Sequence, residues 1–468
     1  MPYFLMIFAL LLPLSAALTL PLVFRLTENR FAKHYVPYVL LCSSVCLSAM
    51  AVYACNASMP YEISLSFPPA FDFSISAGPL TALLAALISA GCFIAALKMS
   101  SVAESAEFRE KKRFCMAFLL FSDFLSVAAL SSSLLWICVL WLLAAICLWA
   151  MAGNSARQED NMKADQMLAR ILAGAMLMFC GAISAYLQYG TFSLNVLHGE
   201  SISLYKALLF LPGLMMPVIL LPGLCRFAAA GRPLYNGDYL LPAAMYAFAG
   251  ICAYSRLFCA CFAVPESFCA IAATAAFAVM AVSVWEAAAE TDSRRNAALI
   301  VSIALCFPFP AFSAGTNMGF SGGLMSLFTS LPLILAIIML AGIKRKDNLS
   351  KTAYSALFIC LISLAGLPPA GAFFGRFMIF CGMAQQGSPI LFPLFAAMSV
   401  ALLFMLFRFL KNFRMNDADI SYPEKADDAF AGNAAMALGI ISVLSGLLVY
   451  YPSSYIVLSA AIHGVNLQ

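Results

Sequence analysis

Charge is scarce in this chain. Asp, Glu, Lys and Arg make up 10% of 468 residues, with only 3 His and 4 Trp. A soluble domain of this length cannot cover its surface with so few charged groups. No polar stretch is long enough for a soluble domain either, so a nucleotide site or redox centre of the chain's own is not expected. Nor is any catalytic residue, metal or other cofactor. The 16 Cys do not change this. Most stand singly in apolar runs, as Cys92, Cys138, Cys180, Cys252, Cys306 and Cys360 do. The nearest pair, Cys259 and Cys261, has no His beside it. They read as small buried apolar side chains, not as ligands. A net charge of +4 marks no nucleic-acid surface, and no nucleic-acid partner is expected. Strict polar–apolar alternation is also missing from runs such as 324–343, which excludes an outer-membrane barrel.

What the chain has is apolar residues, 63% of the total. Stretches of about 20 apolar residues, enough to cross a bilayer, fall at 3–24, 36–55, 78–97, 114–131, 133–151, 168–188, 204–225, 239–258, 267–288, 297–314, 323–343, 354–383, 389–408 and 433–458. The fold class is therefore an all-α polytopic membrane protein with about fourteen spans, in contact with the lipid bilayer. The first stretch lacks a basic leader and continues into a full crossing, so it reads as a helix and not as a cleaved signal.

Basic residues set the threading. All but three of the 26 Lys and Arg lie in or at the edge of every second loop. Arg25, Arg30 and Lys33 stand in the first loop, Lys98 and Arg109 to Arg113 in the third, and Lys344 to Lys351 in the eleventh. The intervening loops have none. Positive loops stay on the cytoplasmic side. The odd loops are then inside and both termini outside, which requires an even number of spans. The polar stretch 411–432, with Asp417, Asp419, Glu424, Asp427 and Asp428, reads as a cytoplasmic linker before the last helix. His34, His198 and His463 fall in loops or outer segments and read as solvated.

Two spans carry clusters of helix breakers. Span 7 holds Pro212, Pro217 and Pro222; span 12 holds Gly366, Pro368, Pro369 and Gly371. Proline removes a backbone donor and clashes with the preceding turn. Within a membrane such breaks persist only where protein or internal water meets the freed groups. The two spans are five helices apart, so they run in opposite directions, the mark of inverted repeats in transporters. The division is then 1–110, an N-terminal three-helix segment; 111–263, a first repeat of spans 4–8; 264–415, a second, inverted repeat of spans 9–13; and 416–468, the linker and last helix. Pro308 and Pro310 break span 10 and have no mate.

The three remaining basic residues, Lys206, Arg256 and Arg376, fall inside apolar stretches, as does Asp123. Ionised groups in the membrane interior cost on the order of 2.5–3.5 kcal/mol to insert and are functional candidates by default. Arg376 and Asp123 are candidates for a polar path. Lys206 opens span 7 and Arg256 closes span 8, where long side chains can snorkel to the headgroups; Glu286, at the end of span 9, reads the same way.

Ser363-Leu364-Ala365-Gly366-Leu367-Pro368-Pro369-Ala370-Gly371-Ala372-Phe373-Phe374-Gly375-Arg376-Phe377 resembles the signature of the antiporter-like membrane subunits of respiratory complex I, with relatives in Mrp-type antiporters and membrane-bound hydrogenases. Asp292-Ser293-Arg294-Arg295, Pro222 and Arg256 sit where that family has a basic pair, a proline and an arginine. The layout resembles its M and N subunits, and the length is short for an L-type subunit with its lateral helix. The resemblance implies a subunit of a redox-driven, proton-translocating assembly of the NADH-quinone oxidoreductase or hydrogenase type. Other membrane subunits would be its partners, the cell (inner) membrane its place, and quinone would bind elsewhere.

The family's proton relay runs through a Glu on span 5, Lys on spans 6, 7 and 8, and Lys or Glu on span 12. Here those positions fall on Leu142, Ala169, Pro217, Ala247 and Arg376, with Arg170 beside Ala169 as a shifted substitute. The proton-path candidates are thus Arg376, Asp123, Arg170 and Lys206. Arg stays charged where Lys can exchange a proton, so Arg376 could be a fixed electrostatic gate but not a carrier. The resemblance leaves open a subunit that contributes to translocation and one that only scaffolds it. The breaks alone would also suit a stand-alone secondary cation transporter or an unrelated substrate carrier.

Overall fold

The computed structural model describes residues 2–26, 32–57, 60–65, 72–102, 108–152, 158–228, 239–343, 350–387, 390–413 and 426–448. The chain is helical because only a helix meets its backbone hydrogen bonds within one segment, as lipid requires. The helices are α1 (Pro2–Leu26), α2 (Ala32–Asn56), α3 (Pro79–Val102), α4 (Phe108–Leu130), α5 (Leu134–Ala152) and α6 (Gln158–Tyr189). They continue with α7 (Leu194–Leu197), α8 (Leu204–Ala228), α9 (Leu240–Tyr254), α10 (Glu266–Ala289), α11 (Ser293–Cys306) and α12 (Pro308–Ser313). The remainder are α13 (Asn317–Ala341), α14 (Lys351–Leu364), α15 (Gly371–Gln386), α16 (Leu391–Lys411) and α17 (Ala426–Leu447). Among the described residues, 13 segments are long and apolar enough to cross a membrane. Span 12 supplies another crossing, as the half-length α14 and α15. The multi-pass architecture and the number of spans agree with the hydropathy pattern. The last helix begins at Ala426, so part of the stretch expected to be linker is helical. His463, the basic residues at 344–346, the acidic residues at 417, 419 and 424, and the end of span 14 lie outside the described residues.

α9, α11 and α13 form the centre. Every residue of α11 from Asn296 to Cys306 is buried, as is nearly all of α9 and α13. Around them α1, α6, α10 and α16 present apolar faces outward, with Leu187 80% and Trp285 81% exposed. Lipid tails are as apolar as leucine, so helices here associate through close packing and not through escape from water. Gly250 on α9 shows how close: a methyl group there would sit 2.6 Å from the Leu214 carbonyl oxygen of α8.

One end of the bundle carries a feature that hydropathy does not reveal. β1 (Tyr61–Leu65) and β2 (Phe73–Ala77) pair antiparallel, with Ile63 opposite Ile75. Ser131 bridges to Ile75, Ser133 to Ser193, and Ser201 to Ala263. The Ser132 amide donates to Ser74 (2.8 Å) and the Leu194 amide to Ser132 (2.8 Å). One hydrogen-bonded belt therefore ties together the loops that join α2 to α3, α4 to α5, α6 to α8, and α9 to α10.

The breaks differ in kind. Span 12 is interrupted between α14 and α15: Gly366 takes φ +73° and the Pro368–Pro369 bond is cis. Span 10 bends only at Phe307, where α11 meets α12 and Pro308 opens the new turn. The expected break in span 7 is absent, because α8 is one helix through Pro212, Pro217 and Pro222. Each proline leaves the carbonyl four residues earlier without its usual donor. For Pro222 that carbonyl is Val218, and Ser302 of α11 donates its hydroxyl to it at 3.1 Å. A neighbouring side chain thus makes good a lost backbone donor and lets the helix continue.

Candidate functional site: buried charges and the break in span 12

Five charged residues are buried among the described residues: Lys98, Asp123, Lys206, Arg256 and Arg376. Lys98, Lys206 and Arg256 lie towards the ends of their spans. Asp123 and Arg376 lie further in.

Arg376, one turn into α15, folds back across the break. Its Nη1 donates to the Ala365 carbonyl and its Nη2 to the Leu364 carbonyl, the last two carbonyls of the α14 half-helix. Helix ends leave such acceptors open, and a cation there also meets the negative end of the helix dipole. The guanidinium stands over the Phe307 ring, 4.8 Å from its centroid, within range of a cation–π contact. Gly366 makes room: a methyl group on it would come within 2.8 Å of Arg376 Cδ. Glycine is needed there twice, for its positive φ and for the arginine stem.

Arg256 repeats the device in the other half of the chain. It lies on a π-helical turn, Ser255–Cys259, that continues α9, a local widening common at functional positions. Its Nη1 donates to the carbonyls of Ala129 (2.7 Å) and Ala128 (3.3 Å), at the end of α4. The expectation that Arg256 snorkels is corrected. The open carbonyls of α4 supply acceptors inside the protein, so the side chain has no need to reach the headgroups. Among the described residues, neither arginine hydrogen-bonds a carboxylate. Glu286 accepts from Arg295 Nη2 at 2.8 Å and stays partly exposed.

Of the other candidates, Lys206 is buried at the head of α8. Its ammonium donates to Gln188 Oε1 and lies 5.7 Å from the Tyr205 ring centroid. Asp123 is buried on α4, and its Oδ1 has no hydrogen-bond partner. Arg170 is exposed on α6 and is not brought to the interior. Apart from Arg376, the relay positions implied by the resemblance carry no titratable side chain. Pro217 and Ala247 are buried, Leu142 is half-buried and Ala169 is exposed. Beside Leu142 and Ala247, aromatic rings fill the interior. Trp141 stacks on Tyr246 with centroids 4.3 Å apart, and the Tyr246 hydroxyl donates to the Trp141 carbonyl at 3.2 Å.

Sequence reasoning missed the Phe307 contact, the α4 cap and the Ser302 bond. Only the family position of Arg256 offered a signal.

Long apolar helices packed around the buried centre of α9, α11 and α13, with one crossing interrupted, define a class: the polytopic helical membrane proteins with a broken helix. Within it, the fold is that of antiporter-like subunits. The chain is similar to a chain of the Mrp complex from Dietzia sp., with a TM-score of 0.79 and 15% identity over 97% of this chain and 96% of that one. It is similar to a chain of respiratory complex I from Thermus thermophilus, with a TM-score of 0.77 and 18% identity over 98% and 99%. A chain of an archaeal membrane-bound sulfane sulfur reductase matches with a TM-score of 0.77 and 17% identity over 97% and 96%. At these identities the likeness is one of fold. In sequence, the chain is 29% identical over 175 residues to NADH-quinone oxidoreductase subunit N 1 from Roseiflexus castenholzii. That match covers 37% of this chain and 30% of the relative, so it spans under a third of the relative's length. No family model matches the chain.

Proposed function

We propose that the chain is an antiporter-like subunit of an ion-translocating membrane assembly of the NADH-quinone oxidoreductase or hydrogenase type, and that within it the chain acts as a non-conducting scaffold. The assembly is supported by the fold likeness to subunits of such complexes and by the sequence match to a subunit N. The scaffold role rests on one observation: the guanidinium of Arg376 is committed to the Leu364 and Ala365 carbonyls, at the position that would end a relay. A relay needs groups that gain and lose protons. A carbonyl-bound arginine keeps its charge, and Leu142, Pro217 and Ala247 have no proton to exchange.

The two repeats, 111–263 and 264–415, belong to the same proposal, as do a place in the cell (inner) membrane and termini on its outer side. Electron transfer then takes place in partner subunits, and quinone binds outside this chain. Purification of the intact membrane assembly through a tag on this chain tests the reading. Sister antiporter-like subunits together with an iron–sulfur or hydrogenase-like arm are the expected companions. A chain recovered alone, as a free carrier would be, contradicts it.

A further inference from the structure

A small cavity lies between α3, α4, α5 and α9. Arg256, Trp141 and the weakly polar thiol of Cys252 supply its polar side chains; Ile88, Leu125 and Ala249 are among its apolar walls. It offers about 20 Å3 to the centre of a water-sized guest, where roughly 10–15 Å3 admits one.

Three features describe what the guest must be. First, Arg256 buries a positive charge that, among the described residues, hydrogen-bonds to the neutral carbonyls of Ala128 and Ala129, and buried charges are ordinarily paired. Second, the indole Nε1 of Trp141 is buried without a hydrogen-bond acceptor, although a buried indole N–H ordinarily finds one. Third, among the described residues no carboxylate, amide or hydroxyl side chain lines the cavity. Cys261, an ionisable neighbour of Arg256, does not supply the missing negative charge. Burial pushes its thiol up to about 12, against the opposing pull of the arginine.

We infer that the cavity is a site for one small monovalent anion of the halide class, held by the Arg256 guanidinium beside the Trp141 indole. A halide accepts hydrogen bonds, brings no hydrogens of its own and balances the arginine. A water molecule would bring two donors to walls whose side-chain acceptor is the weak sulfur of Cys252. The site is independent of whether the subunit conducts protons.

Anomalous diffraction from the full-length protein crystallised in sodium bromide tests this. The expected result is a bromide peak in the cavity, within hydrogen-bonding distance of the Arg256 guanidinium. Trp141→Phe, which keeps a ring in place of the indole, should lower its occupancy. Arg256→Met should weaken bromide binding by about tenfold or more, the scale of one lost charge-assisted hydrogen bond. If Arg256→Met does not fold, the wild-type and Trp141→Phe maps decide alone. An empty cavity, a water without anomalous signal, or a peak unchanged in Trp141→Phe overturns the inference.

Discussion

The guanidinium of Arg376 rests 4.8 Å from the ring centroid of Phe307, so a residue just past the break of span 12 sits on the bend of span 10. The same guanidinium closes the end of α14. One side chain therefore holds three interrupted pieces of backbone in register. Phe307 in turn meets Phe395 of α16 edge-on at 5.1 Å, which extends the contact to the neighbouring helix.

Arg376→Met should destabilise the bundle by about 2–4 kcal/mol, since it leaves two helix-end carbonyls in a buried place without donors. Arg376→Lys should recover only part of this, because an ammonium lacks the planar fork that reaches both carbonyls. Thermal unfolding of the detergent-solubilised protein, compared across the three forms, measures the order.

Ser302 and Pro222 should couple. Ser302→Ala removes the donor to the Val218 carbonyl and should cost about 1 kcal/mol. Pro222→Ala restores the backbone N–H that would normally serve that carbonyl. In the Pro222→Ala background the serine substitution should then be close to neutral. A double-mutant cycle on unfolding free energies reads the coupling, and additive costs would remove Ser302 from this role.

Gly250 and Gly223 should behave oppositely. Alanine at 250 would push its methyl against the Leu214 carbonyl oxygen, at 2.6 Å, and against Trp141. Overpacking of this kind costs about 1–3 kcal/mol. Alanine at 223 meets nothing within 4 Å and should be neutral or gain up to about 1 kcal/mol from helix propensity. Midpoints of thermal unfolding for the two variants check the contrast.

The threading predicts opposite sides for the β hairpin and the head of α14. In a background without reactive native thiols, Glu62→Cys should react with an impermeant maleimide from outside, and Lys351→Cys only after permeabilisation. Both positions are exposed. Labelling of both from one side would overturn the alternation of loops.

The bilayer made much of this legible in advance. Hydropathy and the placement of Lys and Arg located the crossings because lipid constrains every span alike. The break at Gly366 to Gly371 was readable because glycines and paired prolines together cannot continue a helix. Single prolines misled. Whether Pro222 breaks α8 depends on Ser302, 80 positions away, and no local pattern contains that partner. The same holds for Arg256, whose reach to Ala128 and Ala129 spans more than a hundred residues. The hairpin did leave a trace: Tyr61-Glu62-Ile63-Ser64-Leu65 and Phe73-Ser74-Ile75-Ser76-Ala77 alternate with period two. Against long apolar neighbours that short signal passes as loop.

The scaffold role is tested most directly by the number of protons taken up per electron transferred, in membrane vesicles that hold the intact assembly. Taking the ratio removes differences in the amount of folded complex. The account predicts the same ratio for Arg376→Met as for the wild type. A lower ratio with electron transfer intact would place Arg376 on a working proton path and contradict it.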